Sequence, residues 1–582
     1  RFQSYGEGFP FFNISFKFTQ TILHSPKTLF KLSILLTGDH RPIIYWNCIK
    51  FWRPIYVKKY IKLHPDLFCF AYFLFSTFTI FIVGFHSGIL IGWDSSFHLN
   101  RIEELAQSIK SGHILSSSGS FAFQHVGLAV NKFYPYLFLY PFALMRLLIN
   151  PVKAYLIVLF IFVFISFVIS YKCIQAITKS KRQAAWFSII YNNSGYLMLQ
   201  IMQRADIAAY IALALLPVTF LGIVNLLKNK DHKNWLLFPL GITLTTYSHF
   251  LSVIIFSMFI FCFLLLNYHS ITLKVIKRLT ASIGIVIILT VPIFTQMFAL
   301  RRSGKIIPAN LTGLLNNAAL TPSTLFLNSF NNASPITLCD VNIGIILLIL
   351  CLICLIFVHK LNKLNLQMLF LGLFFLLAST KLIPWFIFQH TPLVILQFPW
   401  RFLGVTSFCI SYCSSFVLSK SKLGTFLTTT ILLCINLFTI TYCYNAYHNG
   451  GPIINDPHSY NTIATSATYA DYLPLKALNN VSLADAYKNP KDKIPVYNKN
   501  IKVNNHTSKL QKNHVSYNYN SVTYTILDLN VNHINKVTLP LVNYGQNYCK
   551  NKTVINCKAV NGQTELTIKP HQEKVRITVH LK

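Results

Sequence analysis

Acidic residues are scarce in this 582-residue chain: 16 Asp and Glu stand against 51 Lys and Arg, and only 12% of residues are charged. So little charge excludes an ordinary soluble protein, because 53% hydrophobic and 15% aromatic content gives more apolar surface than one water-facing fold can enclose. Mean hydropathy is +0.49, and lipid is the cover such a composition requires. The surplus of +35 would point to nucleic acid in a soluble protein. Here no RNA- or DNA-binding signature accompanies it, and the basic residues cluster between apolar runs as the positive-inside rule expects, so no nucleic-acid partner is expected. Metal or redox cysteine motifs are lacking too. Most cysteines lie in apolar stretches, where a thiol behaves as a small hydrophobe. Cys351 and Cys354 form a CxxC without a second pair or a histidine. Cys549 and Cys557, in the polar C-terminal part, are the candidate disulfide. Residues 1–62 are basic and aromatic, with no apolar stretch ending at a small-residue cleavage site. They read as a basic cytoplasmic segment, and the opening Arg1, in place of Met, reads as a fragment's end or a mis-called start.

What is abundant is apolar sequence in runs of about 20 residues, the length that crosses a bilayer. Eleven windows qualify, at 66–84, 154–172, 183–199, 207–227, 235–248, 250–267, 279–298, 342–358, 365–382, 402–418 and 424–444. Six basic clusters separate them: Lys58, Lys59 and Lys62; Lys179, Lys181 and Arg182; Lys228, Lys230 and Lys233; Lys274, Lys277 and Arg278; Lys360 and Lys363; Lys420 and Lys422. An odd count, with 235–267 read as two spans, puts all six on the side of the N-terminus, and hence in the cytoplasm. The expected product is a multi-pass plasma-membrane protein with membrane lipid around residues 63–446. Its first outside loop is 85–153, and the C-terminus lies outside.

From about residue 447 the composition turns to Asn, Lys, Thr and Tyr. Residues 447–499 read as an irregular linker. Short alternating runs such as SVTYTILDLNV, KVTLPLV, TELTIKP and KVRITVHL predict half-buried strands, and so a β-sandwich-like extracytoplasmic domain over 500–582.

The first outside loop opens with GWDSSFHLNRIEELAQSIKSGH. Leu99, Ile102, Leu105 and Ile109 recur at helical spacing, which predicts an amphipathic helix lying along the membrane surface. Asp94 starts it, and His98 and Arg101 follow on the same face, a place where a carboxylate, an imidazole and a guanidinium would meet one substrate. The plainer reading of Asp94 is a helix N-cap. Further polar residues placed outside are Arg204 and Asp206 in QRADIA, His249, Arg301, Arg302, and Trp400 and Arg401 in QFPWR. A guanidinium suits phosphate oxygens bidentately, though Arg at a bilayer boundary also serves as a snorkelling anchor. Trp385 and Trp400 read as interfacial belt residues able to stack on a sugar, and His249 and Asp206 read equally as helix caps.

The segments GxDxxFHLxRIE and FYPYLFLYP around the first loop, then SHFLS at 248–252, LQFPWRFLG at 396–404 and ADYLP at 470–474, occur in one order. That order resembles the bacterial membrane proteins labelled pyruvoyl-tetrahydropterin-synthase-related, grouped with the GT-C glycosyltransferases. The resemblance covers roughly residues 66–582. It implies a GT-C-like membrane domain that moves a sugar from a polyprenyl-phosphate donor to a cell-envelope glycan or glycolipid acceptor. Carried over, Asp94 is the general base, with His98 beside it and Arg101, Arg204, His249, Trp400 and Arg401 as substrate or phosphate contacts. A divalent cation is the one cofactor to consider, and Ser95 in place of a second acid counts against it. The alternatives are a transporter or flippase of lipid-linked precursors and a non-catalytic cell-surface protein. Transporters favour paired repeats and broken midplane segments, and no internal repeat is evident.

Overall fold

The structure, a computed structural model, describes residues 65–581 apart from 229–232, 302–303, 309–313, 332–339, 505, 510–513 and 528. It also describes Ser15–Phe16 and Ile34–Leu35, which pair antiparallel. The basic segment 1–62 otherwise lies outside the described residues, as do Arg302 and the side chain of Arg301. The chain divides into two compact units, Arg1–Phe68 and Cys69–Lys582, and the candidate site and the large sheets belong to the second.

In chain order the helices are α1 (Pro65–Ser87), α2 (Ser95–Lys110), α3 (Tyr140–Leu148), α4 (Pro151–Thr178), α5 (Lys181–Asn192), α6 (Gly195–Ile201), α7 (Ile207–Leu227), α8 (Leu237–Thr246), α9 (Phe250–Leu265), α10 (Leu273–Arg301), α11 (Ile345–Ile356), α12 (Lys363–Ala378), α13 (Leu403–Lys420), α14 (Thr425–Asn449) and α15 (Pro457–Ser466), with further short helices between them. Among the described residues six of these, α1, α4, α7, α10, α13 and α14, are long and apolar enough to cross a membrane, which makes the chain multi-pass. The count of eleven full spans is not reproduced. The other five windows hold shorter helices: α5 with α6, then α8, α9, α11 and α12. The window 183–199 is broken at Asn193 and Ser194 because the segment 342–344 crosses there. Gly195 N–H donates to the Ile343 carbonyl at 3.0 Å, and a Cβ on Gly195 would stand 2.2 Å from Asn342 Oδ1. The window 235–267 is two helices, α8 and α9, with His249 at the turn between them.

Helix α2 departs from its predicted place. Leu99, Ile102 and Leu105 are buried as its periodicity requires, but Asn100, Arg101, Glu103, Glu104 and Ser108 on its other faces are buried as well. It packs against α3 and α15 and is wrapped by residues 116–123. Glu104 accepts the backbone N–H groups of Ser120 (3.1 Å), Phe121 (3.0 Å) and Ala122 (2.6 Å) and the hydroxyl of Ser117. Polar residues that read as a water-facing surface are therefore used to hold a loop.

The stretch 447–499, expected as an irregular linker, contributes packed residues. Strand β1 (Ile89–Leu90) pairs with β2 (Ile453–Ile454), and Tyr460, Ala464, Leu473, Val496 and Tyr497 are buried. Its apolar residues are widely spaced, so no single window shows them as a core. Beyond it come β3 (Asn500–Val503), β4 (His506–Lys509), β5 (Val515–Asn518), β6 (Ser521–Ile526), β7 (Asn535–Val542), β8 (Tyr548–Cys549), β9 (Val554–Val560), β10 (Gln563–Ile568) and β11 (Val575–His580). They form a four-stranded sheet, β8-β11-β6-β5, and a five-stranded sheet, β9-β10-β7-β3-β4. Ile501, Val537 and Leu566 of one meet Val522, Ile577 and Val579 of the other in a common core, the sandwich arrangement that strand alternation predicts.

Candidate active site

The site begins with two loops laid backbone to backbone. Trp93 N–H donates to the Gln203 carbonyl (3.1 Å) and Asp94 N–H to the Arg204 carbonyl (2.8 Å). Gly92 permits the approach, since a Cβ there would lie 2.3 Å from the Gln203 oxygen. Ala205 completes it in the left-handed region at φ 54°, a conformation a non-glycine residue holds only when its surroundings dictate it.

Asp94 occupies the N-cap position of α2, yet its side chain makes no capping hydrogen bond. Instead Arg204 Nε donates to Asp94 Oδ2 at 3.1 Å. The same guanidinium donates through Nη2 to Asp206 Oδ2 at 2.9 Å and through Nη1 to Gln200 Oε1 at 3.2 Å. It lies over Trp400, with Cζ 5.2 Å from the ring centroid. Arg204 is thus an internal cation bridging two carboxylates, one of which, Asp94, keeps 35% side-chain exposure while Asp206 keeps 4%.

Asp206 is the cap that sequence suggested, accepting Ala209 N–H at 2.9 Å, and more. Its Oδ1 lies 3.3 Å from His98 Nε2. Arg101 Nη1, 3.5 Å from His98 Nδ1, can only donate, which leaves Nε2 as the protonated nitrogen facing Asp206. The two acids are thereby driven apart. Partial burial pushes the Asp94 carboxyl up, against the pull of Arg204 and with the help of the Asp206 charge. Burial alone would raise Asp206 as well, but Arg204 and the His98 hydrogen bond hold it well below the usual carboxylate range.

The shared face of Asp94, His98 and Arg101 does not converge on open space. Arg101 is fully buried and donates to Asn131 Oδ1 at 2.9 Å and to the carbonyls of Tyr134 and Pro135. Its guanidinium rests 4.4 Å from the Tyr134 ring centroid. It pins the 131–135 loop, and this face of α2 meets protein.

His249 caps α9, its Nδ1 accepting Ser252 N–H at 3.2 Å. Arg401 is buried, its guanidinium donates to the Leu396 carbonyl at 3.4 Å, and among the described residues its Nε has no hydrogen-bond partner. Among the described residues it has no carboxylate within ion-pairing distance. Arg401, Arg204, His249, Ser252 and Tyr196 line one small cavity of about 20 Å³. Trp400 and Trp385 are buried: Trp400 stacks on Phe398, and Trp385 Nε1 donates to the Ala378 carbonyl.

The acids are not arranged for a metal. Among the described residues no three His, Cys, Asp or Glu side chains are grouped to hold one, and Asp94 and Asp206 already face Arg204. Cys549 and Cys557 are free thiols, with Cys549 hydrogen-bonded to Cys557. The two thiols of the expected disulfide thus lie side by side where β8 and β9 meet.

No protein-family model matches the chain and no curated protein matches it, so the family resemblance stands on its motifs alone. Among solved structures, the crystal structure of ArnT from Cupriavidus metallidurans bound to undecaprenyl phosphate is similar over 71% of this chain and 77% of that one. The identity is 8% and the TM-score 0.39, and at that level the likeness adds no weight to the site.

Proposed function

We propose that this protein is a membrane-embedded glycosyltransferase of GT-C type, moving a sugar from a polyprenyl-phosphate-linked donor to an extracytoplasmic glycan or glycolipid. The observation that carries the reading is the juxtaposition of a half-open Asp94 carboxylate, spared from capping, with the Arg401 cavity reached through Arg204. In this reading Asp94 takes the proton of the acceptor hydroxyl as it attacks the anomeric carbon, and the lipid phosphate departs toward Arg401. Raised by its surroundings, Asp94 is a better proton acceptor than an ordinary exposed aspartate. Arg204 and Asp206 hold it in place, and the tautomer of His98 fixes Asp206 in turn. With Arg204 lying between the acids, no step is drawn through a metal. The reading places the first loop, the cavity and the β-sheets outside the membrane, with the basic clusters inside.

The test is Asp94→Asn and Arg401→Gln protein in proteoliposomes, assayed for transfer from a polyprenyl-phosphate sugar. Loss of transfer in Asp94→Asn with donor binding retained, and weakened donor binding in Arg401→Gln, are expected. Full transfer by Asp94→Asn contradicts the assignment.

A further inference from the structure

Basic clusters at the ends of membrane spans obey a sidedness rule, but residues 500–582 lie beyond any span and still carry eleven Lys and Arg against three Asp and Glu. Their placement is ordered. Alternation along the five-stranded sheet turns Ile501, Val503, Val537, Leu539, Leu566 and Ile568 into the core. The opposite face receives Lys502, Lys536 and Lys558, all exposed, with Thr538 and Thr567 between them. The register sets them side by side: Lys558 pairs with Glu565, Glu565 with Thr538, and Thr538 with Lys502, while Lys536 pairs with Thr567. Lys502 and Lys558 are three strand steps apart, about 14 Å, and Lys536 lies diagonally from Lys502 at roughly 7 Å. The roughly 7 Å spacing lies within the screening length of about 8 Å at physiological salt and the roughly 14 Å one beyond it, so Lys502 and Lys536 act on a ligand together and Lys558 extends the stripe as a separate contact. Glu565, the acid on that face, is 3.3 Å from Lys558. Among the described residues Lys502 and Lys536 have no ion-pair partner.

We propose that this face binds a linear, hydrophilic polyanion, a polymer bearing repeated phosphodiester or carboxylate groups. A nucleic acid suits it less, because the sheet face offers lysine and threonine and no aromatic side chain among its described residues on which bases could stack. A lipid surface suits it less as well. Ile555 at a bulge of the edge strand β9 is the large exposed apolar residue on those strands, and interfacial binding needs a broad apolar face. The proposal is independent of the transferase reading, since it concerns binding alone.

The test uses full-length protein in nanodiscs of zwitterionic lipid, titrated with polyphosphate and with alginate, with neutral dextran as control, across a series of salt concentrations. Lys502→Gln/Lys536→Gln/Lys558→Gln should bind both polyanions at least tenfold more weakly. Its log–log salt dependence should be shallower by roughly two, as counterion release from lost lysine contacts requires. Lys360→Gln/Lys363→Gln, which removes charge elsewhere, should bind as the wild type does. The proposal is overturned by a triple variant, folded by its melting curve, that binds as tightly as the wild type. Dextran binding of equal strength overturns it too, as does lysine-dependent binding confined to oligothymidylate or to phosphatidylglycerol vesicles.

Discussion

Arg204 Nε stands 3.1 Å from Asp94 Oδ2 while its Nη2 stands 2.9 Å from Asp206 Oδ2, so one guanidinium ties the start of α2 to the start of α7. The bridge does for this site what a bound cation does elsewhere: it allows two carboxylates to sit together in a region with little water.

Removing that cation leaves Asp206 buried and uncompensated. Arg204→Ala should cost on the order of 3–5 kcal/mol of stability, read as a lowered melting temperature of detergent-purified protein. Adding Asp206→Asn should recover a measurable part of the loss, because the second substitution removes the charge that the first exposes. Equal loss in the single and double variants would show that Arg204 acts through packing on Trp400 alone.

Arg401 behaves oppositely. Buried without a carboxylate, it is a liability to the empty protein, so Arg401→Met should leave stability unchanged or raise it. Binding of a polyprenyl phosphate, followed by the ligand-induced rise in melting temperature, should weaken at least tenfold. A fall in stability with unchanged lipid binding would mark Arg401 as structural.

The loop that encloses α2 should respond to pH. Burial pushes Glu104 up from 4.5 to about 7, against the opposing backbone N–H bonds from residues 119–122. A carboxyl whose folded value is raised binds its proton more tightly in the folded state. Its contribution is therefore favourable below about 4.5 and is lost as pH rises to about 7. Melting temperature should fall over that window in the wild type, and the Glu104→Gln variant should show a flatter profile. Identical slopes in the two proteins would remove Glu104 from the explanation.

Much of this arrangement was legible in the sequence, and the part that was not has a common cause. Apolar windows locate α1 and α4 to α14 because apolar character is a local property of composition. Asp94 and His98 were visible through helical spacing and Arg401 through its place beside an apolar span. The pairing of Arg204 with Asp94 was invisible, since it depends on the backbone contact of residues 92–94 with 203–204. Two signals pointed toward it: Gly92 just before the acid, and an Arg and an Asp flanking Ala205 in an otherwise apolar stretch. The same blindness to long-range contact made α2 read as a surface helix. Nothing in its own periodicity reveals that residues 116–123 wrap Glu104 or that α15 covers its polar side.

Sidedness is the premise of the proposed chemistry. A single cysteine replacing the exposed His458 in a cysteine-free background should react with a membrane-impermeant maleimide in intact cells. Labelling only after lysis would place the C-terminal sheets in the cytoplasm and reverse the orientation.

The central claim rests on Asp94. Cells carrying only Asp94→Asn, with the protein present in the membrane at wild-type level, should lose a sugar from their surface glycan as read by mass spectrometry, while Asp94→Glu should restore part of it. A glycan profile identical to wild type in Asp94→Asn cells would contradict the account.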